Sequence, residues 1–276
     1  MNRRNGQRIL LAGISIVVLL LAGCQSGGGA SSDTGTTGGD TGQAGTTSGG
    51  DTGGEAVVPS LPEGAVSSSI VLDPAVNSDD TARAIDAAIY ETLIVTGTDG
   101  QPAPALAQSW VISDDELDYI FSLRSGVSFH DGTSVNADAV IANFNRWFDP
   151  SSSLRGSGSY QPWADAFGGF QGDSNDDGSP RSTFDGIEKV DDLTVLLHLN
   201  HPQADLLNTL ADISFGIASP AAVEASGDSY GTVSGGAVGS GPYMVGDWTS
   251  SSLTLEPNTS YWGEVPADSK EFPLEN

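Results

Sequence analysis

Cysteine occurs once in these 276 residues, as Cys24, and lysine twice, as Lys189 and Lys270. A single thiol permits no internal disulfide, even in an oxidising compartment. Neither lysine follows a glycine, so there is no Gly-Lys-Ser/Thr loop to cradle a phosphate. A nucleophilic cysteine in the globular part and a nucleophile-elbow pattern are both missing, so no catalytic residue and no enzyme is expected. The only histidines are His130, His198 and His201. The last two straddle a strand end and should point to different faces, which argues against a zinc or nickel site. Basic residues number 10 against 36 acidic ones, a net charge of −26. That balance excludes nucleic acid and an anionic lipid surface as partners. It fits a well-solvated surface or adaptation to high salt.

The scarce cations are concentrated at the start. Arg3, Arg4 and Arg8 precede Ile9 to Ala22, a run of 14 apolar and small residues. The run is too short for a bilayer of ~30 Å but suits the apolar region of a secretory signal. Leu21-Ala22-Gly23-Cys24 closes it. Ala22 and Gly23 fit a peptidase subsite, and the thiol of Cys24 can be alkylated. This arrangement resembles the bacterial lipobox, with Cys24 as the lipidation site and 1–23 as a lipoprotein signal peptide. Two or three acyl chains on Cys24 would anchor the chain stably in a membrane. Arg3-Arg4 hints at twin-arginine export, but Asn5-Gly6-Gln7 lacks the hydrophobic continuation, which favours the general secretory route. Without the leader, 36 acidic residues face 7 basic ones, a net of −29.

Residues 24–60 read as a disordered tether. Positions 25 to 55 hold almost only Gly, Ser, Thr, Asp, Gln and Ala, too little apolar surface to offset ordering entropy. Its r.m.s. reach is roughly 30–35 Å by the flexible-chain relation. Globular composition starts near Leu61.

Within 61–276, Val66, Ser68, Ile70 and Leu72 alternate with their neighbours, which predicts a strand ending at Asp73-Pro74. Ala82, Ile85, Ile89 and Leu93 recur at helical spacing, with Ser78, Asp79 or Asp80 available as caps. Tyr119, Phe121 and Leu123 predict a second strand, and Asp131-Gly132 a turn. Residues 134 to 148 predict a helix with Val140, Phe144, Trp147 and Phe148 inward. Thr194 to Leu199 is a third strand, and Leu253 and Leu255 mark a late one. Residues 204–211 and 221–225 read as helices, the second opened by Pro220. Strands and helices mix without a repeat, so the class is α/β or α+β.

Read in order, several segments resemble the extracytoplasmic solute-binding proteins, family 5, of peptide, dipeptide and nickel ABC importers. They are Leu72-Asp73-Pro74-Ala75, Ile89-Tyr90-Glu91-Thr92-Leu93, Pro104-Ala105-Leu106-Ala107-Gln108-Ser109-Trp110, the stretch Tyr119 to Thr133, Val190 to Val195, Gly239-Ser240-Gly241-Pro242-Tyr243, and Leu255-Glu256-Pro257-Asn258 with Tyr261-Trp262-Gly263. The resemblance implies a type II periplasmic-binding-protein-like α/β fold. It implies a first lobe with a core from 61–90 and 201–276, an inserted subdomain over 91–200, and the second lobe absent, because family members are roughly twice as long. A lobe without its return strands would leave an open sheet edge. Gly239 and Gly241 are expected to supply backbone angles closed to other residues before Pro242.

The function implied is a lipid-anchored receptor for a solute, a peptide by preference, serving an ABC permease and its ATPase subunits. Its place would be the outer face of the cytoplasmic membrane or the periplasm. The alternative is a truncated surface lipoprotein that acts as an interaction or structural module, or a non-functional fragment. By resemblance the loop Asn77-Ser78-Asp79-Asp80 faces ligand and pairs with peptide backbone; helix capping is the simpler role. Tyr160 and Trp163 are candidates to line the cleft, or else buried core aromatics. Asp173-Ser174-Asn175-Asp176-Asp177-Gly178 matches the opening of a calcium loop, with Asp173, Asn175 and Asp177 as ligands, but Phe184 stands where a bidentate Glu is needed. The same residues also read as an acidic surface turn. No cofactor is implied.

Overall fold

A computed structural model describes residues 59–276. The expected signal peptide, Cys24 and residues 24–58 of the expected tether lie outside the described residues. The elements run in the order β1 Val66–Ser67, α1 Asp80–Ile89, β2 Ile94–Thr96, β3 Pro102–Pro104, β4 Ala107–Ile112, β5 Asp118–Leu123, α2 Ala137–Phe148, α3 Gln161–Phe167, β6 Phe184–Asp191, β7 Thr194–Leu199, α4 Leu206–Leu210, α5 Pro220–Ser226, β8 Tyr243–Trp248, β9 Ser252–Pro257 and β10 Lys270–Glu275.

The strands form two four-stranded sheets and one hairpin. One sheet has the order β1-β10-β9-β8, the other β4-β5-β7-β6, and β2 pairs with β3. The second sheet is antiparallel, with Phe121 opposite Val195 and Tyr119 opposite Leu197. Burial alternates along β5 and β7, so Tyr119, Phe121, Leu123, Val195, Leu197 and Leu199 all face inward. They meet the apolar face of α2, whose Val140, Phe144 and Trp147 lie about one turn apart. Asn136 starts that helix by accepting the Ala139 N–H at 2.9 Å. Each such side chain contributes roughly 1.5–3 kcal/mol when buried.

The other sheet packs a separate core around Ile70, Leu72, Ile85, Ile89, Leu253, Leu255 and Phe272. α1 belongs to this core. Its N-cap is Asp79, whose Oδ1 accepts the Ala82 N–H at 2.8 Å, and Asp80 places an acid in the first turn. The helix ends at Ile89, and Leu93 passes into the other core.

Three sequence expectations need correction. The strand expected over Val66 to Leu72 is only two residues long, because the chain turns at Ser68-Ser69 and the Ile70 N–H bonds back to the Ser67 carbonyl. Ile70 and Leu72 stay buried as loop residues. The helix expected over 204–211 narrows to α4, Leu206–Leu210. Gly239 and Gly241 do not take left-handed angles; they allow a close approach instead. A Cβ on Gly239 would lie 2.1 Å from the Ile89 carbonyl oxygen, and one on Gly241 2.6 Å from that of Ala88. Gly132, by contrast, has φ +82° in its turn.

The close approach joins distant motifs. Ser240 Oγ donates to Glu91 Oε2 at 2.7 Å, while Trp262 Nε1 and Tyr261 OH donate to Oε1 at 2.8 and 3.2 Å. His130 closes the other side, its backbone N–H donating to Gly239 and its ring Nε2 bonding the Gly241 carbonyl at 3.0 Å.

Candidate functional site

The loop before α1 is held from below. Asp73 is buried against Arg146 of α2, which binds both its carboxylate oxygens. Asn77 is buried too, its Nδ2 donating to the Val71 carbonyl at 3.1 Å and to Asp86 Oδ2 at 2.5 Å. Burial pushes Asp86 well above the ordinary carboxylate range, against the Asn77 hydrogen bond, with Asp73 adding to the rise. These anchors leave Ser78, Asp79 and Asp80 exposed at the N-terminal end of the helix.

Beside that end lies an open groove of about 500 Å³. Asn77, Ser78, Asp80 and Arg83 form one wall, Asp212, Ser214 and Phe215 another, and Asp165 of α3 closes the rim. Arg83 reaches across it, bonding Asp212 at 2.8 and 3.0 Å and Ser214 Oγ at 2.7 Å. Asp212 is held below its ordinary range although burial pushes the other way, because Ser214 and Arg83 supply hydrogen bonds to the charged form. Three carboxylates and one guanidinium, itself paired, give the groove a negative field. Such a surface suits an ammonium group and the donors of a peptide backbone.

The structure brings Asn77, Ser78 and Asp80 together at this groove, while Asp79 acts as the helix cap. Trp163 is not there. It is 2% exposed, its Nε1 donates to the Gly169 carbonyl at 3.1 Å, and it packs among Phe144, Trp147, Phe148, Phe167, Phe184 and Phe215. Its aromatic area goes to the core because a single N–H is its only polar demand. Tyr160 is buried beside it, under the guanidinium of Arg155 at 4.2 Å. The residues of the expected calcium loop bond within their own turn. Asp173 Oδ2 accepts the Phe170 N–H, Asn175 Nδ2 donates to Ser179 and Pro180, and Asp177 Oδ1 accepts from Ser179. The three side chains stabilise their own turn, closed by a bridge between Ser174 and Pro180. Among the described residues no group of three or more His, Cys, Asp or Glu side chains could hold a metal ion, and no helix is long and apolar enough to cross a membrane.

Arg83, Asp212 and Ser214 were not legible as site residues. The one available signal was that no other basic residue stands between Arg8 and Arg124.

A model of bacterial extracellular solute-binding proteins, family 5, matches residues 101–272. The probable D,D-dipeptide-binding periplasmic protein DdpA of Escherichia coli K12 is 32% identical over 211 residues, 74% of this chain and 36% of the relative. The glutathione-binding protein GsiB of E. coli O1:K1 is 30% identical over 197 residues, 71% of this chain and 34% of the relative. Among solved structures, the periplasmic binding protein DppA of Helicobacter pylori in complex with the peptide STSA superposes with a TM-score of 0.61 at 27% identity, covering 77% of this chain and 41% of that one. The chain thus spans about a third of the length of the curated relatives it matches.

Proposed function

This chain belongs to the bacterial extracellular solute-binding proteins of family 5, and we propose that it is the lipid-anchored solute receptor of an ABC importer, with a peptide as its solute. Its described residues have the α/β fold of one lobe of a periplasmic binding protein. In this reading residues 1–23 direct export, Cys24 carries the lipid and 24–60 form the tether. The core of 61–90 and 201–276 holds the insert 91–200. The protein does no chemistry; it captures solute and presents it to a permease.

The groove beside Asn77, Ser78 and Asp80 is the observation that carries the peptide assignment. It opens at a helix N-terminus, has acids on α1, on α3 and at Asp212 after α4, and has Phe215 in one wall. An extended ligand there would gain affinity from main-chain hydrogen bonds and orientation from its ammonium. The names of DdpA, GsiB and the DppA complex support the same solute class.

A tripeptide carrying a diazirine at its central residue tests the assignment. Irradiation with the full chain is expected to label residues 77–83 or 209–215, with competition by excess unlabelled tripeptide. Labelling confined to other segments, or labelling that excess peptide does not reduce, would overturn it.

A further inference from the structure

A second concavity lies at the other end of α1. It measures about 640 Å³ and is walled by Ala87 and Tyr90 of the helix end, Val95 of β2, Ala105, Ile213, Tyr261 and Trp262. The segment 211–214 separates it from the groove: Ala211 and Ile213 face this pocket, Asp212 and Ser214 the groove. Glu91 lines the pocket beside the two aromatic residues that hydrogen-bond its carboxylate. Asp99 stands at the rim, and no Lys, Arg or His belongs to the lining.

We propose that this pocket is a second ligand site, for a small organic cation that carries a primary ammonium on an apolar body. Glu91 supplies the anchor. Its Oε1 accepts two hydrogen bonds, from Tyr261 and Trp262, but its Oε2 accepts only one, from Ser240, which leaves an acceptor position for an ammonium. The rings of Tyr261 and Trp262 add faces that attract a cation. Ala87, Val95, Ala105, Ile213 and Pro242 match an apolar body, and Thr92, Thr96 and Thr98 also belong to the lining. An anion is disfavoured by both acids, and a neutral alcohol forgoes the charge-assisted bond.

The charges around Glu91 set the pH response. Arg124 lies over the Trp262 ring at 4.1 Å and donates to the Ala105 carbonyl, so it serves the wall and favours ionised Glu91 without entering the pocket. Asp99 faces the mouth, and Tyr261 is held in its neutral form by burial and by Glu91. Burial pushes Glu91 up to about 7, against the bonds from Ser240, Trp262 and Tyr261 and the field of Arg124. An ammonium binds the ionised carboxylate, so affinity rises as pH climbs through that value, with release of a proton at lower pH. This second site is independent of the peptide groove.

Phenethylammonium, 2-phenylethanol and phenylacetate are the probes, titrated calorimetrically into the full chain at pH 6 and pH 8. The expected result is binding of phenethylammonium at least about tenfold tighter than of either analogue, tighter at pH 8 than at pH 6, with a shift of the Trp262 indole N–H resonance. Glu91→Gln keeps hydrogen-bonding atoms in place and should weaken binding about tenfold or more. Val95→Lys, at a position 40% exposed, adds a cation at the rim without touching the core and should do the same. Equal affinity for 2-phenylethanol, no response to Val95→Lys, no gain with pH, or shifts at the Ser78 and Asp80 amides in place of Trp262 would each overturn the proposal. The groove reading stands or falls separately, on where the diazirine labels.

Discussion

Arg146, in the last turn of α2, binds Asp73, 73 residues earlier in the chain, through both of its terminal nitrogens, with Nη1 to Oδ1 at 3.2 Å. Both side chains are about 95% buried. The guanidinium also donates through Nε to the Leu154 carbonyl at 3.0 Å and sits 5.5 Å from the ring centres of Tyr160 and Tyr230. This pair fixes the loop that carries Asn77 to Asp80 onto α2. Arg146→Met leaves the Asp73 carboxylate buried without a counter-charge and should destabilise the chain by about 3–5 kcal/mol. The double replacement Asp73→Leu with Arg146→Met removes both charges and should lose less than the single one. Urea denaturation of the three proteins measures this; a single variant no worse than the double would show that the pair contributes nothing.

Asp86 gives a pH-dependent prediction. Its carboxyl is buried with Asn77 Nδ2 as its donor, while Asp86 Oδ1 and Asn77 Oδ1 both lack a partner. Its folded pKa lies well above the ordinary value, chiefly through burial. The unfolded chain therefore releases this proton first, and the group lowers stability progressively as pH rises above about 4 until the folded pKa is reached. Asp86→Asn removes that dependence, and the new amide can donate to Asn77 Oδ1. The variant should gain about 1 kcal/mol or more at pH 7 and much less near pH 4. Melting curves at the two pH values decide it, and an equal gain at both would contradict the burial argument.

Asp79→Ala separates capping from recognition. It removes the acceptor of the Ala82 N–H and should cost about 0.5–2 kcal/mol of stability. Asp80→Lys leaves the cap in place but reverses a groove charge. It should leave the melting temperature within a few degrees and abolish diazirine labelling by a cationic tripeptide. A cap variant with unchanged stability would require another residue to start α1.

Much of this fold was legible because its patterns are local. β5 and β7 alternate, and α2 has apolar residues one turn apart and an Asn cap, so their periods point to one face each. β4 does not alternate: Gln108, Ser109, Val111 and Ile112 are all exposed at the sheet edge. β6 and β8 contain register shifts that break the period of two, and β10 carries Lys270, Glu271 and Pro273. The groove was half legible. Ser78 precedes a helix and Asp80 opens it, which a sequence displays. Arg83 and Ser214 are 131 residues apart, and only folding brings them together. Trp163 illustrates the opposite limit, since an aromatic on a seven-residue helix reads the same whether it faces a ligand or a core.

Lipidation is tested at Cys24. In the proposed function Leu21-Ala22-Gly23-Cys24 is a lipobox and this thiol the acceptor of diacylglycerol. Cys24→Ser should abolish incorporation of a labelled fatty acid and leave unprocessed precursor. Equal labelling of the variant would remove the anchor from the proposed function.

Gly239 and Gly241 show what a motif glycine can be for. Ser240 between them must reach Glu91 Oε2, and the Gly241 N–H must reach the Ile89 carbonyl at 2.9 Å. Both bonds require the segment to lie against the last turn of α1, with His130 pressing from the other side. A methyl on Gly239 would meet the Ile89 carbonyl oxygen at 2.1 Å and its carbon at 2.8 Å, and both are backbone atoms that cannot rotate away. Gly239→Ala should therefore cost at least about 1–3 kcal/mol as overpacking, and should loosen the Ser240–Glu91 bond as the segment backs off. Gly186 in β6 is the control. A methyl there meets nothing within 4 Å and its φ is ordinary, so Gly186→Ala should change stability by less than about 0.5 kcal/mol. Denaturation of both variants beside the parent chain decides between steric and conformational roles. If Gly239→Ala proved as mild as Gly186→Ala, the close approach of 239–241 to α1 would not be what positions Ser240 on Glu91.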